Sequence, residues 1–116
     1  MEQMNIEIDV VERIKQSILT AWQEGHGGSA TQVHLFGGQE GLVLMIPKAL
    51  YQAELDLHSN KAGGGKVLNQ YLRTLLQTVA EDFIPMVEET TNQQIGEIVP
   101  LFDLRAGWAI IFYRYQ

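Results

Sequence analysis

The chain has no cysteine, only three prolines and only eight lysines and arginines among its 116 residues. Without cysteine there are no disulfides, no thiol nucleophiles and no thiolate metal sites. Fourteen acidic residues against eight basic ones leave a net charge of −6. No segment is strongly basic, which disfavours sequence-independent binding to a phosphate backbone, and no nucleic-acid partner is expected. Long hydrophobic runs are missing too. The longest apolar stretches, Leu42–Pro47 and Trp108–Tyr113, reach about a third of a membrane span. Met1–Asp9 alternates acids with isoleucines and has neither the basic nor the apolar region of a signal peptide. A cytoplasmic protein without membrane insertion is expected.

What is present is a globular composition, 46% apolar and 19% charged, in a length that supports one core and one domain over residues 1–116. Nine of the eleven glycines fall in three clusters, Gly25–Gly28, Gly37–Gly41 and Gly63–Gly65, and these punctuate the chain. Before the first, Val10, Val11, Ile14, Ile18, Ala21 and Trp22 form one apolar stripe and predict a helix over residues 7–24. After it, Thr31–Phe36 alternates and Leu42–Ile46 is apolar on both faces, which predicts two antiparallel strands joined by a five-residue hairpin loop. Lys48–Leu57 has the spacing of a short helix.

A wide apolar stripe from Val67 to Val87 predicts a second long helix with a kink at Pro85, closed by Thr90-Thr91-Asn92. Gln94–Phe102 and Trp108–Tyr115 predict a closing hairpin. The order is α-β-β-α-α-β-β: an α+β, two-layer domain with two long helices and one short helix on a four-stranded antiparallel sheet. With the long helices on one face, the other is expected to expose Val43, Met45, Ile111 and Tyr113. A homodimer would cover that face, and so would the short helix. Met45, Ile111, Tyr113 and Tyr115 are therefore the interface candidates, tyrosine being favoured at protein contacts.

Residues for catalysis or metal binding are sparse. Ala62–Val67 fails the phosphate-loop pattern twice, since Asn60 stands where a glycine is needed and Val67 where a hydroxyl would hold magnesium. The Gly63–Gly65 run reads as a loop feeding a helix, and an anion site at that helix start stays open on dipole grounds. His26, His34 and His58 share no metal-ligand spacing, and Glu54 with His58 reads as an i, i+4 surface contact. The pairs Glu81-Asp82 and Glu88-Glu89 point in different directions on a helix. No serine sits in a nucleophile elbow. No metal, cofactor or catalytic residue is expected. As a turn residue, His26 should lose little packing on truncation.

Four segments together carry a family likeness. They are Trp22–Leu35 (WQEGHGGSATQVHL), Lys48–Leu57 (KALYQAELDL), the long helix with Gly65, Val67, Arg73 and Phe83–Glu89 (FIPMVEE), and the closing hairpin. In these the chain resembles the MpsC-like bacterial family, sodium-translocating membrane-potential accessory proteins whose domain has no assigned function. The family turn commonly reads Gly-Arg-Gly-Pro, and here His26 and Gly28 replace the arginine and the proline. The resemblance implies an accessory protein linked to membrane potential or ion transport, which would contact a membrane transport complex or sense something for it and would not itself conduct ions. Carried over by position, it marks Gly25, Gly27, Glu54 and Arg73, with His26 in the turn, as candidates for ligand or partner binding.

Three functions are weighed on this basis. The first is a non-enzymatic accessory or regulatory module that self-associates and contacts other proteins. The second is a small-molecule or anion sensor using the Gly63–Gly65 loop or the His26 turn. The third, a small enzyme, would need His34, His58 and acids to converge.

Overall fold

A computed structural model describes residues 2–59 and 64–116. In α1 (Glu2–Gly25) the side chains of Ile14, Ile18 and Trp22, four residues apart, are fully buried. The helix begins five residues before the apolar stripe predicts. At its other end the backbone N–H groups of His26 and Gly27 both donate to the Trp22 carbonyl, at 2.8 and 3.3 Å. Gly27 and Gly28 then reverse the chain at φ +89° and +91°, a region where a side chain is strained.

Two strands follow, β1 (His34–Gly37) and β2 (Gly41–Ile46). β1 is shorter than the alternation over Thr31–Phe36 predicts. Next come α2 (Gln52–Ser59), α3 (Gly64–Asp82) and α4 (Ile84–Thr91). The single kinked helix expected across Pro85 is in fact two helices. Phe83 leaves helical geometry at φ −103°, ψ 6°, and Pro85 sits in the first turn of α4. There its missing N–H costs nothing, because first-turn N–H groups have no partner within the helix. Asn92 closes α4 in the left-handed conformation. Of the third glycine cluster, Gly63 lies outside the described residues, while Gly64 and Gly65 are the first residues of α3.

β3 (Ile95–Asp103) and β4 (Trp108–Tyr115) complete a four-stranded antiparallel sheet in the order β1-β2-β4-β3. The two hairpins meet along β2 and β4, in register from Gly41 opposite Arg114 to Ile46 opposite Ala109. Gly41 is required at that seam, since a Cβ there would collide with the Tyr113 carbonyl.

The fold is α+β, with the long helices on one face of the sheet. Leu42, Leu44, Ile46, Ala109, Ile111 and Tyr113 form that inner face, each at most 5% exposed. They share one core with Ile14, Ile18 and Trp22 of α1, Leu72, Leu76 and Ala80 of α3, and Val87 of α4. Burying this set is the main force holding the layers together. The Tyr113 hydroxyl donates to the Ala80 carbonyl at 2.7 Å, so the core's one phenol is satisfied and also ties β4 to α3. Placing Ile111 and Tyr113 on the uncovered face is therefore corrected: both lie beneath the helices. α2 packs against α3 and does not roof the second face.

Candidate functional site

Two regions gather the residues the sequence singled out. The first is a clasp between the end of α1 and the start of α2. The His26 ring stacks on Trp22, with centroids 4.7 Å apart, and on Tyr51 at 5.1 Å. Its Nε2 lies 2.9 Å from both carboxylate oxygens of Glu54, and its Nδ1 lies 3.3 Å from the Gly27 carbonyl. The side chains of His26 and Glu54 are 3% and 16% exposed. Glu54 also accepts the Tyr51 N–H at 2.8 Å, and Trp22 Nε1–H donates to the Ala49 carbonyl at 3.0 Å. Gly27 is required here because a Cβ would strike the Tyr51 hydroxyl.

Gly25, His26, Gly27 and Glu54 are thus neighbours in space, and their arrangement is that of a structural joint. Each ring nitrogen of His26 already faces an oxygen, and its ring stacks on both Trp22 and Tyr51. The expectation that His26 loses little packing on truncation is corrected, because the turn folds its ring into an aromatic stack. Sequence reading missed Trp22 and Tyr51 as its partners. The i, i+4 spacing of Trp22 and His26 was an available signal; the 28-residue separation of His26 from Glu54 left none. The Glu54–His58 contact cannot be placed, since the His58 side chain lies outside the described residues.

Arg73 stands apart from the clasp, exposed on α3, where it lines a groove with Gln77, Glu81, Glu97 and Pro100. Tyr115 lines a cleft of about 400 Å³ with Val11, Ile14, Leu35, Thr90 and Gln93. Among the described residues, no group of three or more His, Cys, Asp or Glu side chains could hold a metal ion.

The second region is the open face of the sheet. Facing residues in an antiparallel register project to the same side, so the pairings define rows. One row runs His34, Met45, Ile110, Leu101, and the next runs Phe36, Val43, Phe112, Val99. Seven of these eight side chains are apolar. Phe36 is 58% exposed and Leu101 46%; the other six are half-buried. Trp108 extends the patch at one end, its ring 6.2 Å from that of His34. Charge is confined to the two ends, with Asp103 beside Trp108 and a Glu97–Arg114 ion pair opposite. Of the interface candidates, only Met45 belongs to these rows.

No family model matches this chain, and no curated protein or solved structure matches it either. Its fold and surface define a two-layer α+β domain with one face of its sheet clad in helices and the other bare among the described residues.

Proposed function

We propose that this chain is a non-enzymatic accessory or regulatory module that acts by self-association and protein contact, with the open face of the sheet as its working surface. One observation carries the reading: two registered rows of side chains, seven apolar of eight, with no helix among the described residues laid over them. Contiguous exposed apolar surface of this kind marks interaction sites. The clasp supports the same reading from the other side, because its histidine is fully engaged in holding α1 to α2. The resemblance to membrane-potential accessory proteins extends the proposal to contact with a membrane transport complex from the cytoplasm. No helix among the described residues is long and apolar enough to cross a membrane.

The test is a paired substitution, Phe36→Ser with Leu101→Ser, read by circular dichroism, thermal melting and binding of an apolar fluorescent dye. A contact surface predicts an unchanged spectrum, and an unchanged melting point at concentrations where the protein is monomeric, with altered dye binding and weakened association. A melting point lowered as far as by a core truncation would make this face part of the protomer's own core and overturn the reading.

A further inference from the structure

We infer that the occupant of the open face is a second copy of this chain, stacked sheet on sheet; this rests on the protein-contact reading above and names its partner. Pairing through the sheet edges is opposed on both sides. β1 has only four residues, and β3 carries Pro100 within the strand and an irregularity between Ile95 and Glu97. Short strands, proline and bulges are the devices that blunt an edge against further strands. The flat face is left as the route to association.

The charge pattern of the face allows the same partner. The net charge of −6 makes two copies repel at long range, so a contact between them has to bring no further like charges together. The two middle rows of the open face carry no acid, lysine or arginine, and the charges that exist sit at the strand ends. A two-fold axis lying between two such sheets sets apolar rows on apolar rows and leaves Asp103, Glu97 and Arg114 at the rim. That is the usual anatomy of an isologous contact, in which one patch must match itself. Trp108, Phe36, Phe112 and Met45 are also of the residue types enriched at protein interfaces.

The area fits a weak contact. The two rows and Trp108 span four strands spaced about 4.8 Å apart and about five residues at roughly 3.3 Å each, a patch of about 20 by 16 Å, or about 300 Å² in projection. Side-chain relief and the rim add to this but leave it below the roughly 800 Å² per partner of a standard interface. A contact this small should form and dissociate at micromolar or higher concentrations. Stacked sheets lie about 10 Å apart with strands crossing near 30°, which would enclose Trp108 and His34.

Light scattering after size exclusion, at about 1 to 100 µM, tests this together with acrylamide quenching. Trp22 is fully buried, so quenching reports on Trp108. The expected mass at high concentration is twice the 13.1 kDa of the chain, with Trp108 shielded as the dimer forms. Phe36→Glu with Leu101→Glu brings acids together across the two-fold axis and should weaken association more than 100-fold, with the circular dichroism unchanged. If the glutamates unfold the protein, the serine pair at the same positions replaces them. A wild-type monomer at every concentration, with Trp108 freely quenched, overturns the second copy and leaves the face as a contact surface for another protein. A dimer indifferent to these substitutions overturns both readings, since its contact would lie elsewhere.

Discussion

The two faces of the sheet are built from alternate residues of the same strands, and both are apolar. On one, Leu44 and Ile111 are fully buried under α1 and α3. On the other, their chain neighbours Met45 and Ile110 are half-buried, with no helix among the described residues packed over them. A strand that alternates apolar and polar asks for one cover; β2 and β4 do not alternate, and so ask for two. The helices answer one request within the chain. The difference teaches that apolar content alone does not mark a core, and that the core is the apolar face for which the same chain supplies a lid.

Substitutions can break or sharpen this contrast. Leu72→Ala empties space under the helices and should cost about 2–5 kcal/mol in denaturant unfolding. His26→Ala should come next, at about 2 kcal/mol, because it removes two ring stacks and the hydrogen bonds to Glu54. Glu54→Gln should cost less than His26→Ala, since the stacks survive and the amide oxygen can still accept; equal losses would assign the clasp to the carboxylate charge. Tyr113→Phe should cost about 1 kcal/mol by deleting the bond to the Ala80 carbonyl. Leu101→Ser on the open face should shift the monomer's stability by less than about 0.5 kcal/mol. If Leu101→Ser rivals Leu72→Ala at concentrations where the protein is monomeric, the two faces are not different in kind.

Tyr113 also gives a pH signature. Burial, reinforced by the negative charge of Asp82, pushes its phenol well above the ordinary tyrosine range. The folded state therefore favours the neutral form. Stability from this group is complete below the ordinary phenol range and is lost as pH climbs through it toward the folded value. In an alkaline titration, the ultraviolet step belonging to Tyr113 should arrive together with loss of the circular dichroism signal. Tyr113→Phe should abolish that late step.

Much of the fold was legible in local pattern. The stripe of Ile14, Ile18 and Trp22 placed α1, and the glycine clusters placed the turns. The assignment of faces was not legible, because β2 and β4 pair across most of the chain with no turn to set their register. A shift of one residue in such a pairing exchanges the faces, and this put Ile111 and Tyr113 beside Met45 when their true row-mates are Leu44 and Leu42. Pro85 was read as a kink because the apolar stripe runs through it; in three dimensions Phe83 steps out of the helix so that the proline can begin a new one. The clasp was half legible. Gly25, Gly27 and Glu54 were singled out by resemblance and His26 as the residue that departs from it, but no local periodicity joins a turn at residue 26 to a helix beginning at residue 52.

The seam between β2 and β4 has one more consequence. It joins the two halves of the chain: α1, β1, β2 and α2 on one side, α3, α4, β3 and β4 on the other. Each half owns a hairpin and at least one helix to lie on it, yet the central strands find their neighbours only when the halves dock. Contacts so distant in sequence slow folding, because the closure entropy is lost before any contact repays it. During synthesis, β2 must wait with one edge unpaired until β4 has been made. Two separately produced fragments, residues 1–59 and 64–116, should accordingly be poorly structured alone and reassemble on mixing, with the Gly41–Ile46 strand as the zip.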